Sequence, residues 1–412
     1  MANLLYLAHR FPYPPNKGDK VRSYHLLKHL AARHRVFLGT FIDDPADEVH
    51  VEKVAGLCAG LHVVRLRPRV ARAASLRALS SGESMTTRYY RERGLQAWVD
   101  GTCRSERIDA GLAFSSAMAQ YFRPSSPVPM LIDFVDVDSE KWNQYANALA
   151  WPLSWLYRRE SALLLAFERA SAARAERSFF VTGSETALFQ RLAPECSSRV
   201  ETLCNGVDSG YFVPDPDRPS PFGVETRAND PDAPALVFTG AMDYWPNIDA
   251  VTWFAQAVMP PLRELRPKAR FYVVGRNPSR SLRSLESDAV SLTGTIADVR
   301  PYLQHATVVV APMRIARGVQ NKVLEAMSMG RPVVASAACA EAIDARPGAE
   351  LMTAATSGEF VRQIESLLRA PDRAASMGDS ARRCVLRNYS WESNLARLDG
   401  VLGALMSVEL AA

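Results

Sequence analysis

RGVQNKVLEAMSMGRPVVA, residues 317–335, is the stretch that decides the fold of this chain. An amphipathic segment over residues 319–329 leads through a Gly-Arg-Pro turn into a short apolar run at residues 332–335. That order predicts a helix followed by a buried strand, which is one step of the βα repeat of a parallel sheet. Parallel sheets bind ligands beyond the carboxyl ends of their strands, so the stretch also marks a region to search for a site.

The same alternation of short apolar runs and helical segments extends over both halves of the chain. In the first half we predict strands at residues 4–8, 36–41, 61–66, 108–113, 129–134 and 178–182. In the second half we predict strands at residues 235–239, 270–274, 290–293, 307–311 and 332–335. Two βα series of this kind predict an α/β fold with two Rossmann-like domains.

The domain boundaries follow from a change of composition between the two series. Residues 209–234 are rich in Pro, Asp and Gly and lack sustained periodicity, which is typical of a linker. We therefore predict an N-terminal domain over residues 1–208, a linker over 209–234, a C-terminal domain over 235–388 and a final helix over 389–412. A chain of 412 residues is long enough for two domains of ~200 residues each.

The composition is that of an ordinary soluble protein, with 48% hydrophobic and 23% charged residues. The six cysteines are scattered, which favours reduced thiols over a disulfide framework or a zinc site. The N-terminal apolar run is shorter than a secretory signal requires, and no run reaches the ~18 apolar residues of a membrane span. We expect a cytoplasmic protein without a nucleic-acid partner.

The net charge of +5 is uneven, because the excess of basic residues lies in the first half. With only Glu83 and Glu92 between them, eight arginines form a basic cluster: Arg65, Arg67, Arg69, Arg72, Arg77, Arg88, Arg91 and Arg93. The basic cluster predicts contact with anionic phospholipid or a phosphorylated acceptor, and a solvated helical face is the alternative. Trp151, Trp155 and Tyr157 could add an interfacial anchor, or they could be buried inside the N-terminal domain.

Three predicted strands of the second half end at a glycine, where the backbone can approach a phosphate closely. The residues concerned are Gly240 with Asn247, Gly275 with Arg276, and Gly294 with Thr295. Each motif alone is as well explained by an ordinary turn, since α/β proteins often turn at glycine. Together, at successive strand ends, they predict one ligand cleft.

The helix predicted within residues 317–335 carries the sharpest pattern. If Gly318 opens it, Val319 and Gln320 present free N–H groups to an anion. Lys322 and Glu325 are three residues apart and share a face; the cation suits a diphosphate and the carboxylate suits two neighbouring ribose hydroxyls. The alternative is an ordinary exposed ion pair between the two side chains.

These motifs together resemble glycosyltransferase family 4. The resemblance rests on NGVDSGYFVP at 205–214, VFTGAMDYWPN at 237–247, FYVVGRNP at 271–278 and GVQNKVLEAMSMGRPVVAS at 318–336. HRFPYPPNKGDKVRSYHLLKHL at 9–30 and IDFVDVDSEKW at 132–142 are similar to the sugar transferases of bacterial PEP-CTERM/exosortase exopolysaccharide systems. The resemblance covers nearly the whole chain.

The resemblance implies a GT-B fold, in which two Rossmann-like domains face each other across a cleft and the final helix packs back on the N-terminal domain. It also implies a retaining transferase that moves a sugar from a nucleoside-diphosphate sugar to an acceptor, here a lipid-linked glycan in exopolysaccharide synthesis. Such enzymes use no metal or other cofactor. The basic cluster, in a chain without a predicted membrane span, leads us to expect that this one works at the inner face of the cell membrane. A nucleotide-sugar epimerase and a non-catalytic scaffold of the same fold are the alternatives.

The resemblance also assigns roles to residues of the donor site. Glu325 would hold the ribose, and Lys322 with the Gly318 helix start would hold the diphosphate. Gly18 would lie in a loop over the diphosphate and donor sugar with Arg22 behind it, while Gly294 and Thr295 would border the base. The remaining predicted substrate-binding residues are Gly240, Asn247, Gly275, Arg276, Arg317, Val319, Gln320, Asn321 and Leu324.

One position departs from the family pattern, which has two glutamates separated by seven residues. Glu325 is the second, but Arg317 stands at the first, so an acidic sugar or additional phosphate binding is expected there. In the N-terminal half, Asp133, Asp136 and Asp138 follow a predicted strand. We predict that Asp136 contacts the acceptor hydroxyl or the donor sugar, with a loop or helix-capping role as the alternative.

Overall fold

The computed structural model describes residues 1–15, 18–222, 233–276, 278–316 and 319–409. The chain separates into two units. The first consists of Met1–Cys204 with Asn394–Ala412, and the second of Asn205–Ser393. Each unit is built on one parallel sheet, as the two βα series predict.

The first unit contains a seven-stranded sheet in the order β3-β2-β1-β4-β5-β6-β7. Its strands are β1 (Asn3–Ala8), β2 (Arg35–Ile42), β3 (Gly60–Arg65), β4 (Ala110–Phe114), β5 (Met130–Val135), β6 (Arg177–Phe180) and β7 (Val200–Thr202). Its helices are α1 (Gly18–Ala31), α2 (Val51–Ala55), α3 (Pro68–Ser75), α4 (Ala78–Ser81), α5 (Met85–Tyr89), α6 (Arg93–Ser105), α7 (Asp138–Ala148), α8 (Leu153–Arg174) and α9 (Gly183–Leu192). Short 3₁₀ helices occur at Pro45–His50, Ser116–Tyr121 and Pro194–Arg199.

The second unit contains a six-stranded sheet in the order β10-β9-β8-β11-β12-β13. Its strands are β8 (Ala235–Thr239), β9 (Arg270–Val274), β10 (Val290–Gly294), β11 (Val308–Ala311), β12 (Val333–Ser336) and β13 (Met352–Ala354). Its helices are α10 (Trp245–Trp253), α11 (Met259–Leu265), α12 (Arg280–Arg283), α13 (Arg300–His305), α14 (Asn321–Ser328), α15 (Ala337–Ala340), α16 (Ser357–Leu368) and α17 (Pro371–Asn388). A π-helical turn, Phe254–Val258, separates α10 from α11.

The last helix, α18 (Trp391–Glu409), leaves the second unit and contributes most of its length to the first. His29 Nε2 on α1 lies 2.8 Å from Asp399 Oδ1, and Leu398 and Leu402 are buried. The described part of the predicted linker belongs to the second unit, where the ring of Phe222 lies 4.4 Å from the ring of Tyr272.

The central strands of both sheets are buried along almost their full length. All five residues of β4 and β8 and all four of β11 are buried, because helices cover both faces of each sheet. Parallel strands of this kind are near-continuous apolar runs, which is why β8 and β9 begin and end at the predicted residues. Two three-residue edge strands, β7 and β13, were not predicted. Among the described residues, every helix is too short or too polar to cross a bilayer.

Two glycines hold the carboxyl ends of β8 and β9 together. Gly240 N–H donates to the carbonyl of Val274 at 3.0 Å, and Met242 N–H donates to the carbonyl of Arg276 at 2.9 Å. A Cβ atom on Gly275 would lie 1.6 Å from the carbonyl oxygen of Gly240, which no side chain permits. The glycine is therefore required by the close approach of the two loops.

Candidate functional site

The strand order of the second sheet reverses between β8 and β11, which are neighbours although β9 and β10 lie between them in sequence. In open α/β sheets the crevice beyond the carboxyl ends of the strands at such a point is the usual ligand site. Phe238 near the end of β8, Met313 after β11 and Lys322 in the first turn of α14 meet at this position. We call this group, together with Asn247, the switch-point cluster.

Lys322 is held in the switch-point cluster by neutral partners. Its Nζ donates to Asn247 Oδ1 at 2.6 Å, lies 3.5 Å from Met313 Sδ, and stands 4.5 Å from the centre of the Phe238 ring. Asn247 is buried and is itself fixed, because its Nδ2 donates to the carbonyl of Ala241 at 2.8 Å. Burial lowers the pKa of Lys322 to about 8.

Glu325 lies one turn further along α14 and is partly buried. Burial raises the pKa of its carboxyl to about 7, although the nearby charge of Lys322 lowers it. The alternative of an ordinary exposed ion pair therefore does not hold, because Lys322 is engaged by Asn247 and both side chains are partly withdrawn from water. Two groups with such pKa values change charge near neutral pH, which is common at functional sites.

The start of α14 differs from the prediction. Gln320 is the N-cap with extended backbone angles and Asn321 is the first helical residue, so the helix does not begin at Gly318 or Val319. The N–H groups at the free end of the helix therefore include those of Asn321 and Lys322. Among the described residues, Asn321 Oδ1 is buried without a hydrogen-bond partner. Arg317 and Gly318 lie outside the described residues.

The other predicted donor-site residues lie in different surroundings. Gly240 borders the switch-point cluster, since a Cβ atom on it would lie 2.7 Å from Asn247 Nδ2 and 3.4 Å from Lys322 Nζ. Arg276 and Thr295 are exposed where β9 and β10 end, and Gly294 has a left-handed φ of 67°. The side chain of Leu324 is fully buried in the core, so a contact of this residue with a ligand, which stays a prediction, would be made by its backbone.

In the first sheet the strand order reverses between β1 and β4, and His9 follows β1 at that point. Its ring stacks on Phe114 at 5.7 Å with an interplanar angle of 13°, and Tyr90 meets it edge-on, also at 5.7 Å. His9 Nε2 lies 3.6 Å from Asp19 Oδ2. Although burial raises the pKa of Asp19, the hydrogen bond from His9 and the charge of Arg10 hold it well below its usual range.

Arg22 is buried, and its Nε donates to Asp133 Oδ2 at 2.8 Å. Asp133 is also fully buried; desolvation raises its pKa, although the charge of Arg22 opposes that shift. Neither side chain reaches the surface of the unit. Arg22 therefore anchors the end of β5 through this pair, and its role in substrate binding stays a prediction. Gly18 is the first residue of α1, with open space around its Cα.

Asp136 and Asp138 share one cation. Lys141 Nζ lies 2.9 Å from Asp136 Oδ2 and 3.0 Å from Asp138 Oδ1, so a cation of the chain itself stands between the two carboxylates. Val135, directly before Asp136, has a φ of +70°, which is rare for a β-branched residue. Such strain concentrates at functional sites, and it redirects the chain at the end of β5.

Sequence reasoning missed the two apolar residues of the switch-point cluster. Phe238 and Met313 resemble core residues in the sequence, and both are buried. Thr239, the last residue of β8, is also buried, and among the described residues its Oγ1 has no hydrogen-bond partner. The only signal available was position, because each of these residues lies at or just beyond the end of a predicted strand.

Solved structures that match nearly the whole chain identify the fold. HepE from Anabaena, solved in complex with UDP, superposes with a TM-score of 0.67 over 98% of this chain and 100% of that one, at 14% identity. Sucrose-phosphate synthase from Thermosynechococcus elongatus superposes with a TM-score of 0.68 over 99% and 100%, at 16% identity. The fold is GT-B. The predicted fold class is thereby confirmed.

Sequence comparison points to transferases with the GT-B fold. Residues 233–370, which include the switch-point cluster, match the model of the family described as Glycosyl transferases group 1. A GDP-mannose-dependent α-(1-6)-phosphatidylinositol monomannoside mannosyltransferase from Mycolicibacterium smegmatis is 28% identical over 223 residues, 50% of this chain and 56% of that protein. The chain thus spans a little over half the length of this curated relative. These matches support the predicted glycosyltransferase; the narrower assignment to family 4 and to exosortase systems stays a prediction.

Removal of one partner of the buried Arg22–Asp133 pair should destabilise the first unit strongly. Asp133→Asn leaves the guanidinium buried without its carboxylate, a change that typically costs about 3–5 kcal/mol. Thermal unfolding should show a clearly lower midpoint for this variant. Asp100→Asn, which breaks the more exposed ion pair with Arg123, is the control and should leave the midpoint nearly unchanged. Equal effects of the two substitutions would show that Asp133 has no anchoring role.

Proposed function

We propose that this chain is a retaining glycosyltransferase that moves a sugar from a nucleoside-diphosphate sugar to an acceptor. The observation that carries the proposal is the environment of the Lys322 ammonium. Its ammonium is partly buried at the switch point of the second sheet, and its hydrogen-bond and ring partners are Asn247, Met313 and Phe238, all neutral. The positive charge therefore remains available to an anionic ligand, and the diphosphate of a nucleotide sugar is such a ligand.

The switch-point cluster offers complementary groups for the rest of a nucleotide. The carboxylate of Glu325, one turn along α14, can accept hydrogen bonds from two adjacent ribose hydroxyls. Thr239 Oγ1 and Asn321 Oδ1, buried without partners among the described residues, are further groups that a bound ligand could satisfy. HepE, which shares the fold, was solved with UDP and with UDP-glucose. That observation supports a nucleotide donor for this chain.

The reaction requires stabilisation of a leaving group. When the bond between the anomeric carbon and the diphosphate oxygen breaks, its electron pair remains on the diphosphate. The ammonium of Lys322 and the N–H groups at the start of α14 are already oriented, so they stabilise this charge with little reorganisation. Arg276, exposed at the end of β9, is a second cation for the same role. We propose that these groups replace a divalent metal in the reaction.

The acceptor side of the reaction is assigned to the first unit. Asp136 follows the strained Val135 at the end of β5, and His9 occupies the switch point of the same sheet. We propose that Asp136 contacts the acceptor hydroxyl or the donor sugar, with the ammonium of Lys141 beside its carboxylate. A lipid-linked glycan is the proposed acceptor, with a role in exopolysaccharide synthesis. The curated relative is named for a phosphatidylinositol monomannoside acceptor, which supports a lipid.

A panel of UDP-, GDP- and ADP-sugars tests the proposed reaction. We expect one class of donor to be hydrolysed slowly without an acceptor, with the released sugar keeping its anomeric configuration as seen by NMR. EDTA should leave this activity intact. Conversion of the donor into an epimer that is still linked to its nucleoside diphosphate, without any acceptor, would identify the alternative isomerase. Inactivity toward the whole panel would favour the scaffold, and loss of activity in EDTA with recovery in manganese would contradict the metal-free mechanism.

We further propose that the first unit binds the cytoplasmic face of an anionic membrane, where a lipid-linked acceptor would be found. The structure divides the basic cluster into two parts. Arg65 pairs with Glu48, and Arg88 and Arg91 pair with Glu83. The exposed arginines that remain around α3 and α4 are Arg67, Arg69, Arg72 and Arg77. Each basic residue near an anionic surface contributes about 1 kcal/mol, so these four suffice for salt-sensitive binding.

Exposed apolar side chains accompany these arginines. Trp151 is 80% and Trp155 57% exposed, so the alternative that they are buried inside the domain is wrong for both, whereas Tyr157 is partly buried. Arg159, one turn after Trp155, donates to the carbonyl of Ala78 at 2.6 Å, which places α8 against α4. The two tryptophans at and just before the start of α8 and the arginines around α3 and α4 therefore belong to one side of the unit. Aromatic rings beside cations favour a bilayer interface.

Sedimentation with vesicles across a salt series tests the membrane proposal. The wild type should bind vesicles rich in phosphatidylglycerol at low salt and release them as salt rises. The triple variant Arg67→Gln/Arg69→Gln/Arg72→Gln should bind less, because it loses three of the four exposed arginines around α3 and α4. The double variant Trp151→Ser/Trp155→Ser should bind less at every salt concentration.

Matched controls come from the same unit. Arg104→Gln/Arg107→Gln removes exposed arginines at the end of α6, and Val49→Ser removes a side chain that is 79% exposed. Both should bind like the wild type. If the wild type fails to bind anionic vesicles at low salt, the membrane proposal is wrong and a soluble acceptor is favoured.

A further inference from the structure

A cavity lies at the amino ends of the strands of the second sheet, whereas the switch-point cluster lies at their carboxyl ends. Its volume is about 450 Å³, and its lining includes Thr307 and Pro332, which directly precede β11 and β12. Leu367 at the end of α16 and Ala374 in α17 form other parts of the wall. A cavity of this size is large enough for a small organic ligand. Its position at the amino ends of the strands separates it from the proposed nucleotide site.

Among the residues that the structure describes, one cation in this cavity has no counterion. Arg331 lines the wall and is partly buried, and among the described residues its Nε is buried without a hydrogen-bond partner. Burial lowers the pKa of Arg331, with no opposing contribution from a neighbouring carboxylate of the described chain. Burying a charge without a counterion is energetically unfavourable. A bound anion would therefore stabilise the partly buried guanidinium of Arg331.

The backbone fixes where Arg331 stands. Gly330 has a left-handed φ of 67°, Gly330 N–H donates to the carbonyl of Met327 at 3.0 Å, and Arg331 N–H donates to the carbonyl of Ala326 at 3.1 Å. This pair of bonds closes the end of α14 as a Schellman motif. Gly378 of α17 packs against the turn, because a Cβ atom on it would lie 2.1 Å from the carbonyl oxygen of Gly330. The Arg331 side chain therefore leaves a rigid turn.

The rest of the lining restricts the chemistry of a ligand. Much of the wall is apolar: Pro214, Val308, Met329, Pro332, Leu367 and Leu368. Arg382 also lines the cavity, but it already donates to the carbonyls of Ser328 and Phe212. Asp372 and Asp379 are exposed and disfavour a ligand of high negative charge at the entrance. A ligand with a single negative charge on an apolar body satisfies all of these conditions.

We propose that this cavity binds a small monocarboxylate with an apolar body, whose carboxylate pairs with the guanidinium of Arg331. The cavity and the switch-point cluster lie at the two ends of α14, since Lys322 is in its first turn and Arg331 directly follows its closing turn. The proposal does not depend on the proposed transferase activity.

Isothermal titration calorimetry with 4-phenylbutyrate tests the site, with 4-phenylbutan-1-ol as the neutral analogue. The wild type should bind the carboxylate saturably and the alcohol at least about tenfold more weakly, because a charge-assisted pair is lost. Arg331→Gln should weaken binding of the carboxylate by a similar factor and leave the alcohol unaffected. Arg331→Lys, which keeps the charge, should retain part of the affinity.

Two control variants separate this site from the rest of the protein. Arg373→Gln removes an exposed arginine of α17 outside the cavity lining and should bind 4-phenylbutyrate like the wild type. Lys322→Ala, which changes the switch-point cluster, should also retain binding, so failure of the transferase proposal would not affect this result. Absence of saturable binding to the wild type, or equal affinity of the wild type and Arg331→Gln, would overturn the proposal.

Discussion

The ammonium of Lys322 stands 2.6 Å from Asn247 Oδ1 and over the ring of Phe238, where the strand order of the second sheet reverses. Several local features depend on this placement. Gly240 has no side chain because a Cβ atom would collide with Asn247. Gly275 has none because a Cβ atom would overlap the carbonyl oxygen of Gly240. The loops that follow β8 and β9 can therefore approach each other beside the ammonium of Lys322. This ammonium is partly desolvated and has neutral partners, and a diphosphate is the natural ligand for such a group.

The two units contribute different chemistry at comparable positions of their sheets. The second unit presents a cation, a carboxylate and the free end of a helix, groups that suit a nucleotide. The first unit presents Asp136 and His9 at its carboxyl edge, with Lys141 between two aspartates and Arg22 fixing a third. These groups suit an uncharged hydroxyl acceptor better than a phosphate. The division of chemistry agrees with a transfer reaction that needs a nucleotide donor and a hydroxyl acceptor.

Most of the fold could be predicted from the patterns of buried residues in the sequence. Contacts between residues far apart in the sequence could not be predicted in this way. The strand β8 is buried along its full length, and its first and last residues are the predicted ones. The edge strands β7 and β13 have only three residues each and lack such a continuous buried run. The pair Arg22–Asp133 joins residues 111 positions apart, and only tertiary structure shows that it is internal. Spacing within one helix made Lys322 and Glu325 candidates, but the residues that contact Lys322 come from other elements and could not be predicted from that spacing.

The dependence of nucleotide-sugar affinity on pH tests the role of the switch-point cluster most directly. Glu325, with a pKa of about 7, is ionised above that pH, and Lys322, with a pKa of about 8, is protonated below that pH, so affinity should be highest between these values. Above pH 8 binding requires uptake of a proton, and affinity should fall by up to about tenfold for each pH unit. Lys322→Ala should bind weakly and lose this alkaline decline, whereas Lys268→Ala, at an exposed position of the same unit, should match the wild type. An unchanged affinity and pH profile in Lys322→Ala would contradict the account.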